Sequence, residues 1–408
     1  MNRSLLIASI DTSIAKSTIL RHQSNQTMSH RLLFLLTLPS LFATGSGLIA
    51  AEPSGLERIP AALEAEIAAH HAAGTVTLVI RDGKILHHAA TGLADRERNL
   101  PMTTDSVFWI ASMTKSISAA TILSLVDEGK LALDEPASRW IPQLGKAVLA
   151  DGTALNRPVT LRDLLSHTSG LAFPPRKATD GAQSLGRYVE ELVKAPWSFQ
   201  PGTDYEYGFG ITVAGRCAEI AAGQSFEALV QNRILDPLGM KDTSFHPGER
   251  LRARLAKTYK TAEKGAALEP GYNPFVTPDP TVRHMTEPSG GLFSTAADMG
   301  AFYQMILDQG VHQGKRILSR EAILTMTKPH KAGTQPLNYG LGWQCNLPDK
   351  MVVKGFAANS FGHGGAFGTH GWIDPDQHLI AVFMVQNVLV DGGGKARETF
   401  HSLLLGQP

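Results

Sequence analysis

Ser112-Met113-Thr114-Lys115 sets a hydroxyl and an amine three residues apart, at what reads as the start of a helix. Positions i and i+3 of a helix share one face, with Cβ atoms about 5–6 Å apart, so the amine can reach the hydroxyl. A lysine amine in a partly buried site gives up its proton more readily than in water. It can then take a serine proton and leave a nucleophile. A helix N-terminus also favours a developing negative charge. Taken alone, the pair reads equally well as a serine N-cap followed by a solvated lysine.

Two further groups lie downstream. Pro201-Gly202-Thr203-Asp204-Tyr205-Glu206-Tyr207-Gly208-Phe209 is a turn followed by two tyrosines. A phenol beside a lysine ammonium can act as a base or proton relay, and a packed tyrosine with its hydroxyl satisfied is the plainer reading. Phe361-Gly362-His363-Gly364-Gly365-Ala366-Phe367-Gly368 opens a strand, and its glycines allow close approach of backbone to a ligand. The plainer reading there is a tight turn with a surface histidine. His167 reads as a loop-holding histidine and Phe108 and Trp109 as core, while His370 carries no assignment. No CxxC or HExxH spacing occurs, so neither a metal nor another cofactor is expected. Cys217 and Cys345 sit in apolar contexts that suit buried free thiols.

These groups need elements to position them. Residues 55–72 read as a helix, and 75–81 and 84–91 as strands joined at Asp82-Gly83, a hairpin signal. The segment 114–128 is apolar or small nearly all round and reads as a buried helix. Residues 130–330 read as a mostly helical insert, with helices at 161–165, 185–194, 211–222, 226–234, 296–308 and 320–326. Strand patterns return at 342–347, 351–356, 367–374 and 379–386, before a last helix at 396–405. The fold class is therefore α+β: one antiparallel sheet built from both chain ends, terminal helices on one face, the helical insert on the other.

The 408 residues are 43% hydrophobic and 18% charged, an ordinary globular composition. Lys and Arg total 38 against 37 Asp and Glu, with no basic stripe, so no nucleic-acid partner is expected. His30-Arg31, the apolar run Leu32–Leu38 and the small residues up to Ala50-Ala51 have the pattern of an export signal over residues 1–51. Met28 is the better start for it. The expectation is an exported chain, periplasmic or secreted, with one domain over 52–408 and no stable membrane span in it.

Taken in order, the Ser-x-x-Lys, the tyrosine motif about 90 residues later and the glycine-rich strand near the C-terminus resemble the serine β-lactamase and penicillin-binding-protein superfamily. The nearest likeness is to its class C β-lactamase-like branch, which includes esterases. Residues 161–170, 201–203, 234–240 and 289–295 match the same branch. The resemblance implies that Ser112 is the acylated nucleophile and that Lys115 and Tyr207 move its proton. It implies an oxyanion hole from the N–H groups of Ser112 and Ala366. It also sets His363, Gly364 and Gly365, with Phe209, at the substrate.

Two departures bear on substrate. Phe209 stands where the family tyrosine motif has Asn, and His363 where the third motif has Lys. The first removes an amide for an acylamino side chain. The second replaces a permanent cation with a group that is mostly neutral at pH 7. Both favour a neutral ester over a carboxylate-bearing amide, hence a carboxylesterase. A class C-like β-lactamase, a D-alanyl-D-alanine carboxypeptidase acting on cell-wall peptide and a silent binding protein are the alternatives.

Overall fold

The computed structural model describes residues 55–171, 184–261, 267–276, 284–388 and 393–406; the expected export segment lies outside them. Strands β1 (Gly74–Arg81) and β2 (Lys84–Asp95) form the hairpin read from the sequence. Asp82 and Gly83 both have positive φ, 51° and 72°, the pairing a two-residue turn needs to match the strand twist. β3 (Leu100–Pro101) extends the edge beyond β2. The other strands come from the C-terminal part: β4 (Gln344–Cys345), β5 (Phe361–Gly364), β6 (His370–Asp374) and β7 (Leu379–Val385). The sheet order is β4-β5-β6-β7-β1-β2-β3, antiparallel throughout. The ends meet where β7 pairs with β1, from Thr75 opposite Val385 to Arg81 opposite Leu379.

Alternation along β7 divides the core. Leu379, Ala381, Phe383 and Val385 pack with Ile59 and Leu63 of helix α1 (Gly55–Ala68) and Ala396 and Phe400 of the C-terminal helix Gly393–Leu404. Ile380, Val382 and Met384 face the larger core, which includes helix α2 (Thr114–Asp127) and the insert. This is the period-2 rule for a sheet covered on both faces. Every residue of α2 from Thr114 to Leu125 is buried, as its unpatterned apolar sequence predicts. Among the described residues no helix is long and apolar enough to cross a membrane.

Two segments differ from the sequence reading. Met351–Phe356 is not a strand. The Asn346 side chain accepts the N–H groups of Val352 and Val353 and donates to the carbonyls of Val353 and Ala357, so one asparagine replaces a strand partner. The strand read at 367–374 starts at His370, and 361–364 is a strand of its own. The glycine-rich motif therefore spans the end of one strand and the turn to the next. Cys217 and Cys345 are buried free thiols, each pushed up to about 12 by desolvation.

Candidate active site

A single turn of 3₁₀ helix, Ala111–Met113, leads directly into α2 and carries Ser112. Ala111 has φ of 46°, a region that costs a β-carbon residue energy and that clusters at functional sites. One face of the resulting helix start holds both Ser112 and Lys115. Lys115 Nζ lies 3.2 Å from Ser112 Oγ and donates to Ser289 O at 2.6 Å. Its side chain is 3% exposed, and Nζ lies 4.7 Å from the Tyr207 ring centroid, within cation–π range. Tyr207 precedes helix Gly210–Ala222, which packs on α2.

Ser112, Lys115 and Tyr207 face a cavity of about 540 Å³, a size that suits a small-molecule ligand. Phe209 and Ala366 also line it, as do Trp109, Tyr188, Phe275 and Met285. Trp109 is thus a wall of the cavity as well as part of the core, with Phe275 and Phe367 packed on its ring at 5.1 and 4.6 Å. Gly365 brings the turn after β5 onto the nucleophile segment. A Cβ there would lie 2.6 Å from Ile110 O and 2.1 Å from Thr369 Oγ1.

His363, Gly364 and Gly365 are not among the residues that line this cavity. The sequence expectation of His363 against substrate is corrected by its position: the ring is 2% exposed, and both nitrogens are bonded within the protein. The bonds fix a single proton order. Gly208 N–H donates to His167 Nδ1, so the neutral His167 carries its proton on Nε2 and offers it to the Tyr339 hydroxyl, 3.3 Å away. That hydroxyl donates to His363 Nε2 at 3.1 Å, and His363 Nδ1–H donates to Gly364 O at 2.8 Å. Desolvation, then the nearby Lys115 charge, lowers His363 to about 3 and holds His167 well below its usual range. Desolvation raises the Tyr339 phenol in turn. This row of hydrogen bonds lies behind Tyr207, whose ring centroid is 4.6 Å from that of His167.

Sequence reasoning misses Tyr339, and it misses Glu287, a buried carboxyl at the cavity wall. Burial raises the Glu287 carboxyl, against hydrogen bonds from Thr212 and Ser289 N and the charge of Lys115. Its neighbours in the Ser289–Thr295 motif were the only available signal.

A serine hydroxyl with an amine beside it, opening on a largely apolar cavity, is the arrangement a serine hydrolase uses. The sequence model of the Beta-lactamase family matches residues 59–403, and the chain belongs to that family. It is similar to esterase EstB of Burkholderia gladioli, 30% identical over 88% of this chain and 96% of EstB. It is also similar to penicillin-binding protein 4 of Amycolatopsis lactamdurans, 33% identical over 83% and 86% of the two chains. Among solved structures the fold matches EstCE1, described as a hydrolase with promiscuous acyltransferase activity. That match has a TM-score of 0.75 and 22% identity, over 87% of this chain and 100% of EstCE1.

Proposed function

We propose that the protein is a carboxylesterase that works through an acyl-enzyme on Ser112. Lys115 Nζ, in its neutral amine form, takes the Ser112 proton as Oγ attacks the ester carbonyl carbon. The N–H groups of Ser112 and Ala366 receive the oxyanion, and preorganised donors of this kind commonly contribute more than any other effect to the rate of acyl transfer. Collapse of the tetrahedral adduct breaks the ester C–O bond, and the alkoxide leaves as the alcohol with the proton held between Lys115 and Tyr207. Water then enters and attacks the acyl carbon as it loses a proton to the same pair, and the acyl–Oγ bond breaks as that proton returns to Ser112, releasing the acid.

The observation that carries the ester reading is the charge of the cavity. Lys115 is the only lysine or arginine among the described lining residues, and it is bound to Ser112 and Ser289. His363, at the third-motif position, is neutral and behind the wall. Phe209 adds apolar surface where an amide would recognise an acylamino group. Among the described lining residues a substrate carboxylate therefore meets no second lysine or arginine, only His284, whose charged form burial disfavours, while an ester needs no cation. The second reading, hydrolysis of a β-lactam or cell-wall peptide, has the similarity to penicillin-binding protein 4 in its favour. Comparing kcat/KM for a neutral short-chain ester with that for a chromogenic cephalosporin separates them. The ester reading predicts a large preference for the ester, and a preference for the cephalosporin would overturn it. Residues 1–51 are part of the same proposal, as an export signal. Recovery of a chain beginning near residue 52 outside the cytoplasm supports this, and retention of residues 1–51 on a cytoplasmic protein contradicts it.

A further inference from the structure

Three consecutive carbonyls bind the segment around the nucleophile. Pro288 O accepts from Ser118 Oγ at 2.7 Å, Ser289 O from Lys115 Nζ at 2.6 Å, and Gly290 O from Trp109 Nε1 at 2.6 Å. The turn that aligns them is closed by Glu287 at both its backbone and its side chain. Glu287 O accepts the N–H groups of Gly290 and Gly291, at 3.1 and 2.8 Å. Its Oε1 accepts Ser289 N–H at 2.9 Å and the Thr212 hydroxyl. Thr212 Oγ1 also lies 2.7 Å from Ser289 Oγ, tying the turn to the helix that follows Tyr207.

We infer that Glu287 is a positioning residue for Lys115, acting through Ser289. An amine that donates one N–H to Ser289 O cannot turn freely about Cε–Nζ. With that donor fixed, the remaining face of the nitrogen is held toward Ser112 Oγ, 3.2 Å away. The Glu287 side chain is bonded to the N–H of the same residue whose carbonyl does this. Without it, a buried N–H is left unpaired and the turn must relax, and displacement of a catalytic group by about 1 Å can cost ~10²-fold in rate. The sequence hides this role, because the atom that meets the lysine is a backbone oxygen.

This inference rests on the acyl-enzyme reading, and the test keeps the two apart. The readouts are the rate of Ser112 phosphonylation by a fluorophosphonate probe and ester kcat and KM per titrated site. In phosphonylation the P–O bond forms at Oγ, fluoride leaves, and the proton passes to Lys115. For Glu287→Ala, both the labelling rate and kcat are expected to fall ~10²-fold with KM nearly unchanged. Glu287→Gln keeps an oxygen that can accept Ser289 N–H, and should recover most of that loss. Thr212→Val, a smaller lesion that removes one bond to the carboxyl, should lower kcat ~10-fold and serves if the alanine variant does not fold. A residue that serves stability alone would lower the titrated fraction and leave kcat per site unchanged, and that result overturns the inference. Glu287→Gln as damaged as Glu287→Ala, or Thr212→Val at wild-type kcat, also overturns it. Wild-type protein that does not label on Ser112 instead sinks the acyl-enzyme reading, and this inference with it.

Discussion

Lowering the pH should destabilise this protein well before its carboxylates titrate. Four buried histidines are held neutral by desolvation: His363 and His401 at about 3, His167 and His370 well below the usual 6.5. Below 6.5 the unfolded chain takes up protons that the folded chain refuses. Stability is then unaffected above that value and falls as pH drops toward the folded values. Each such group costs about 1.4 kcal/mol per pH unit, so at about pH 5 His363 and His401 together cost roughly 4 kcal/mol. That is a large part of a typical stability of about 5–15 kcal/mol, and His167 and His370 add to it with the same sign. Glu287 and Asp298, both raised by burial, act in the opposite direction. A difference between variants removes them. His401 packs among the rings of Phe356, Phe400 and His370, so His401→Phe replaces a titrating ring with an apolar one in apolar company. Urea midpoints followed by tryptophan fluorescence from pH 7.5 to 5 should fall steeply for wild type. The His401→Phe variant should regain about 2 kcal/mol at the acid end relative to pH 7.5. A wild-type midpoint that is flat over this range, or a variant with the wild-type slope, would refute the reasoning.

Three other outcomes follow from the site. Lys115→Ala should cost at least ~10³-fold in ester turnover, because the Ser112 proton loses its acceptor, and a near-wild-type rate would remove Lys115 from that role. Gly365→Ala should lower kcat by about 10²-fold or more, since the added Cβ would clash with Ile110 O and Thr369 Oγ1 and shift the turn that carries the proposed oxyanion donor, Ala366 N–H; a wild-type kcat would show that this turn does not serve the oxyanion. His363→Lys should destabilise the fold by several kcal/mol without a gain in cephalosporin hydrolysis, as it buries a cation among His167, Tyr339 and Lys115. A stable variant with raised cephalosporin turnover would mean that position 363 does reach substrate.

The parts of this site that could be read from sequence are those whose geometry is local. Ser112 and Lys115 meet because helical spacing fixes them, and the Asp82-Gly83 turn follows from two positions that tolerate positive φ. The sheet from both chain ends was legible because alternating residues of β7 are apolar on both faces. What was hidden depends on distant partners. His363 looks like a ligand-facing residue until the Tyr339 hydroxyl takes up its Nε2 and Gly364 O its Nδ1–H. Met351–Phe356 has strand composition, yet the Asn346 side chain claims its backbone. The cavity wall joins residues from Trp109 to Ala366, so no window of sequence contains it.

The most direct test of the central claim is hydrolysis of a short-chain p-nitrophenyl ester by purified protein, wild type beside Ser112→Ala, with intact mass recorded during turnover. The account predicts wild-type turnover with an acyl adduct on Ser112, and neither in the folded variant. Equal turnover by the variant, or a folded wild type that neither turns over nor acquires the adduct, would contradict it.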